Sequence, residues 1–76
     1  MSKKILLNKA DIVKSFVKEA MKLSGDVNLI SSTSKEYVVN GKSILGIYSL
    51  DLSKPVLVET TENNSNFNNF LKTIEV

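Results

Sequence analysis

The chain of 76 residues predicts an α+β fold: a small open-faced sandwich of order βαββαβα, with a four-stranded, mainly antiparallel sheet and three helices on one face. Three observations predict it. Apolar residues recur at helical spacing in two separate stretches, Ile12, Val13, Phe16, Val17 and Ala20 near the start and Phe67, Phe70, Leu71 and Ile74 near the end. Between and beside them lie short β-prone runs, each too brief for a stable helix. Turn signals separate the segments at Ser24-Gly25, Asn40-Gly41 and Pro55. No interdomain linker and no internal repeat interrupts this pattern, so residues 1–76 read as one domain.

Lys3-Lys4-Ile5-Leu6-Leu7 is the first strand, bounded by Asn8. Asn8 stands at a helix N-cap position, Asp11 favours the positive end of that helix, and Lys14, Lys18 and Lys22 line its polar face. Gly25 then supplies a left-handed C-cap. Asp26-Val27-Asn28-Leu29-Ile30 and Glu36-Tyr37-Val38-Val39, joined by a polar turn from Ser31 to Lys35, predict an antiparallel hairpin. A short helix follows from Lys42 to Leu50, capped by Ser43 and weakened by Gly46. Pro55 opens the fourth strand, Val56-Leu57-Val58-Glu59-Thr60, at a position that tolerates proline. Ser65 or Asn64 caps the last helix, whose apolar stripe runs through an Asn-rich stretch and argues for order there.

Composition excludes much chemistry. The sequence has no Cys and no His, which removes disulfides, thiolate nucleophiles, phosphohistidine and the commonest metal ligand. All ten basic residues are Lys, and the net charge is +2. A nucleic-acid binder would carry Arg forks and stacking aromatics on a basic stripe, so none is expected to be bound directly. No apolar run approaches the roughly 20 residues of a membrane-crossing helix. The three glycines fit no phosphate-cradling loop. Asp11, Glu19 and Asp26 are isolated carboxylates, no metal-ligand cluster or cofactor motif stands out, and no catalytic residue is expected.

Two features remain. Ser43 at a helix start is fully accounted for as a cap; alternatively, a phosphoryl group there would meet open backbone N–H groups with Lys42 beside it. Ile44, Leu45, Ile47 and Tyr48 crowd a helix too short to bury them all. They are either wholly core or partly an exposed docking surface.

The stretch Lys42-Ser43-Ile44-Leu45-Gly46-Ile47-Tyr48-Ser49-Leu50 resembles the K-S-I-M-G-V-M-S-L segment of HPr, the phosphocarrier of the bacterial sugar phosphotransferase system. Asp26-Val27-Asn28-Leu29 is similar to that family's second strand, and the element order matches its open-faced sandwich. The resemblance covers nearly the whole sequence. HPr carries its phosphoryl group on a histidine in a G-I-H-A-R-P-A-like motif, where this protein has Asn8-Lys9-Ala10-Asp11-Ile12-Val13. Lys9 matches the histidine position, Asp11 falls where the family has Arg, and Ile12 where it has Pro. The resemblance therefore implies loss of the phosphohistidine carrier activity. Ser43 matches the serine that HPr kinase phosphorylates in low-GC Gram-positive bacteria, after which the phosphoprotein serves a LacI-type catabolite control protein as corepressor. Catabolite-repression HPr, which also lacks the histidine and keeps the serine, is similar in this.

The expectation is a cytoplasmic, non-enzymatic regulatory or binding protein of HPr type, with Ser43 as the phosphorylation site and Ile44, Leu45 and Tyr48 as the docking surface. Its partners would be other proteins, with a weak homodimer through a strand edge or the apolar patch. The alternative is an HPr-fold scaffold or interaction domain with no phosphorylation.

Overall fold

A computed structural model describes residues 2–33 and 37–76. Four strands, β1 (Ser2–Ile5), β2 (Val27–Ser31), β3 (Val38–Asn40) and β4 (Val56–Thr60), alternate with three helices, α1 (Ala10–Ala20), α2 (Ile44–Tyr48) and α3 (Ser65–Lys72), in the expected βαββαβα order. The expected turn residues Ser34 and Lys35, and Glu36 at the start of the third strand, lie outside the described residues.

The strands are ordered β1-β4-β2-β3, and every neighbouring pair is antiparallel. Alternation along each strand sends Val27, Leu29, Val56 and Val58 into the core, together with Ile5 of β1. The register aligns them: Leu29 lies opposite Val58, and Ile5 opposite Val56. The other face stays open. There Lys4, Leu57, Ile30 and Val38 succeed one another across the four strands.

Helical spacing does the complementary work. Val13, Phe16 and Ala20 of α1 and Phe67 and Leu71 of α3 are buried, with Ile12, Val17 and Phe70 packed beside them. The Phe16 ring meets Phe67 at 5.8 Å between centroids, tilted by 56°, and Phe70 at 6.5 Å. These are the tilted arrangements that aromatic quadrupoles favour. α1 packs against both α2 and α3.

Several local expectations are corrected. The first strand ends at Ile5, although Leu7 beyond it is buried. The N-cap of α1 is Lys9, in extended conformation and with no capping hydrogen bond from its own side group, so Asn8 does not cap it. Asp11 instead accepts the N–H of its neighbour Ile12 at 2.9 Å. No glycine among the described residues has positive φ, so Gly25 is not a left-handed cap; α1 ends at Met21 with an ordinary helical turn. The Asn40-Gly41 turn needs its glycine for space rather than handedness. A Cβ at Gly41 would come within 2.7 Å of Val27 Cγ1 and 3.3 Å of Phe16 Cε1. At α3 the expected alternatives resolve to Asn64, whose Oδ1 accepts the Phe67 N–H at 3.0 Å. α3 ends at Lys72, so Ile74 of the expected stripe is reached just past the helix.

One carboxylate secures the exit from α1. Glu62, between β4 and α3, accepts the Ser24 N–H at 3.0 Å, the Ser24 hydroxyl at 2.9 Å and the Gly25 N–H at 3.0 Å, all on Oε1. The Gly25 N–H foremost, then the Ser24 hydroxyl, hold the Glu62 carboxyl below its ordinary pKa of 4.5, and Lys42 adds a smaller pull in the same direction. A carboxyl whose folded-state pKa is depressed contributes stability above its ordinary pKa and loses it as pH falls. Glu62→Gln should therefore unfold at lower urea concentration than the parent near neutral pH. The gap should close as pH drops from 4.5 through the lower folded value, which denaturation curves across a pH series will read.

Candidate functional site

Ser43 caps α2 as expected. It holds extended backbone angles, φ −107° and ψ 110°, and its Oγ accepts the Gly46 N–H at 3.1 Å. The backbone continues the cap: Ser43 N–H donates to the Asn40 carbonyl and Ile47 N–H to the Ser43 carbonyl. The backbone arrives at Ser43 through a turn that Asn40 fixes, its Oδ1 accepting the Lys42 N–H at 2.9 Å. Lys42, beside Ser43 in sequence, turns its side chain elsewhere. Its Nζ donates to the Leu23 carbonyl at 2.7 Å, which draws the ammonium to the end of α1.

α2 is five residues long and buries only Ile47. Ile44 is 37% exposed, Tyr48 49% and Leu45 82%, so the apolar excess read in the sequence stands at the surface and is not core. A leucine so exposed on an ordered helix contributes almost nothing to folding by burial. The surface is held in place from three sides. Gly46 faces β3 at ordinary packing distance, an added Cβ lying 3.5 Å from Val39 Cβ. Leu50, just past the helix, is buried. Tyr37 donates its hydroxyl to Ser49 Oγ at 2.6 Å, and Ser49 in turn donates to the Gly46 carbonyl.

Tyr37, 45% exposed, thereby joins the rim of this surface, and sequence reasoning missed it. It shares its strand parity with Val39, which packs against the core, and that parity was the available signal.

Lys9 is exposed at the start of α1 and lines a shallow groove of about 300 Å³ together with Leu6, Ile12, Ile74, Glu75 and Val76. Glu75 makes an ion pair with Lys3 at 3.7 Å. Asn8 and Thr73 also line the groove, so its wall is mixed polar and apolar, and its side chains include the Lys9 amine and the Glu75 carboxylate. Lys9 and Ser43 thus stand at the starts of two different helices, and Lys9 belongs to the groove rather than to the α2 surface. Among the described residues, no three acidic side chains gather where they could hold a metal ion. Among the described residues, no helix is long and apolar enough to cross a membrane.

No family model and no curated protein sequence matches the protein. Solved structures do. HPr-C-His from Thermoanaerobacter tengcongensis superposes with a TM-score of 0.73 at 23% identity, over 96% of this protein and 88% of that one. The phosphocarrier protein HPr from Bacillus anthracis gives 0.72 at 22% identity, over 97% and 95%. A histidine-containing phosphocarrier protein of Mycoplasma gives 0.67 at 20% identity, over 96% and 86%. The fold is therefore the HPr fold along nearly the whole sequence.

The cap geometry sets a direct test of Ser43 in the unmodified protein. Ser43→Ala removes the acceptor for the Gly46 N–H and should cost about 1 kcal/mol in urea denaturation. Ser43→Asp keeps an N-cap acceptor of equal rank and should lose much less.

Proposed function

We propose that this is an HPr-type regulatory or binding protein that has no phosphohistidine carrier activity and works by presenting the α2 surface to a protein partner. The observation that carries this reading is Leu45, 82% exposed between Ile44 and Tyr48 on a capped, well-anchored helix. Exposed large apolar side chains at a rigid site suit the buried centre of a protein interface. The HPr fold and the absence of any His from the sequence support the rest: the scaffold is the phosphocarrier's, without imidazole to carry the group.

Ser43 is the proposed control point, phosphorylated by HPr kinase, with a LacI-type catabolite control protein as partner. A phosphoryl group on Oγ would bring about −1.5 to −2 charges beside Ile44 and Leu45 and convert an apolar patch into a mixed one. Lys9, at the position that resembles the carrier histidine, has no phosphotransfer role in this reading. The protein acts in the cytoplasm and is not an enzyme.

A second reading, docking through the same surface without phosphorylation, is favoured by one observation. Ser43 Oγ is already the acceptor for Gly46 N–H, and Lys42 is engaged at Leu23, so neither group stands idle.

Incubation with ATP and a Gram-positive HPr kinase, read by intact mass and peptide mapping, separates the two. One phosphoryl group on Ser43 is expected, with a control arm of enzyme I and phosphoenolpyruvate remaining silent. No addition in the kinase arm would remove the switch and leave the docking module. Leu45→Asp should leave the melting temperature nearly unchanged and weaken binding of the phosphorylated protein to the catabolite control protein by about tenfold or more. Unchanged affinity in calorimetric titration would move the interface off α2.

A further inference from the structure

We infer that Asn40-Gly41 is a latent self-modification site, a succinimide-forming pair that the native fold holds shut. It is the one Asn-Gly dipeptide in the sequence, and Asn followed by Gly is the pair in which no side group shields the attacking nitrogen. In the reaction the Gly41 backbone nitrogen loses its proton and bonds to Asn40 Cγ. The bond from Asn40 Cγ to Nδ2 breaks and ammonia leaves. Water then opens the five-membered ring at either carbonyl, giving aspartate or isoaspartate.

Two hydrogen bonds oppose this in the fold. The Gly41 N–H donates to the Val27 carbonyl at 2.7 Å, and Gly41 is buried against Val27 and Phe16, away from the water that would take its proton. Asn40 is exposed, yet its Oδ1 is held by the Lys42 N–H at 2.9 Å, which fixes the amide group. The pair reacts only when the turn between β3 and α2 opens, so modification at Asn40 records opening of that turn.

The consequence is specific. An isoaspartate adds a methylene to the backbone between β3 and Ser43, which breaks the Gly41 bond to Val27 and shifts the whole entry to α2. Net charge also falls by one.

The full-length protein is aged in mildly alkaline buffer, folded and in denaturing urea, and sampled by peptide mapping that separates Asn, Asp and isoAsp. In urea, residue 40 should convert ahead of every other asparagine. In the folded protein it should convert at least about tenfold more slowly. Sub-denaturing urea should raise the folded rate in step with hydrogen exchange of the Gly41 amide, and Asn40→Gln should abolish the product at this residue. Equal rates in the two states would overturn the inference, as would first conversion at another asparagine in urea. A folded rate that ignores Gly41 exchange would overturn the role of the Val27 hydrogen bond.

Discussion

The position of β4 between β1 and β2 is the constraint on which the molecule depends. Residues 56–59 pair on both sides, with Lys3 and Leu29 both opposite Val58. Without them the first strand has no strand neighbour, and the hairpin of β2 and β3 has no third strand. Closing that sheet brings together residues separated by more than half the sequence, at an entropic cost that grows only slowly with loop length. The inner face of β4, through Val56 and Val58, then gives the helices a continuous apolar floor. Phe16 is buried in the same core and meets the rings of Phe67 and Phe70, which couples the first helix to the last.

The exposed α2 surface is a by-product of this arrangement. A helix of five residues has one inward turn, filled by Ile47, and its remaining apolar side chains must look outward. Such a segment in isolation would be unstable, since helix nucleation costs more than so few hydrogen bonds return. Here the cap at Ser43, the packing of α2 against β3 and the Tyr37–Ser49 hydrogen bond hold it in shape. An interface residue already fixed in position loses less freedom on binding, so the proposed docking through α2 would lose less entropy there than at a flexible surface.

How much of this is legible in the sequence follows from the range of each interaction. The stripes of α1 and α3, the hairpin, and the caps at Ser43 and Asn64 depend on residues a few positions apart, and sequence reasoning finds them. The N-terminus of α1 misleads because Asn8 carries the right functional group one residue too early, while extended Lys9 occupies the cap with no bond of its own. Gly25 and Gly41 look like conformational signals. Gly41 answers instead to the nearness of Val27 and Phe16, which only the assembled core creates. The bonds from Lys42 to Leu23 and from Glu62 to Ser24 and Gly25 join residues 19 to 38 positions apart, and no local pattern announces them. Leu45 is the intermediate case: the excess of apolar residues is visible, but only the position of α2 against β3 decides which of them face outward.

The two outer strands of the sheet are not equivalent. The outer edge of β1 is occupied by the last residues: Leu6 N–H donates to the Ile74 carbonyl at 3.0 Å, Val76 N–H to the Lys4 carbonyl at 3.0 Å, and Ile5 bridges Glu75. At the opposite end, β3 is only three residues long. Fibrillar stacking needs every molecule to accept a strand on one side and offer one on the other. This sheet presents a short template on one side and, on the other, a margin whose inner half is covered by residues 74–76. Strand addition at β3 can join two copies, and at the β1 edge an added strand would have to compete with residues 74–76 for Lys4 and Leu6.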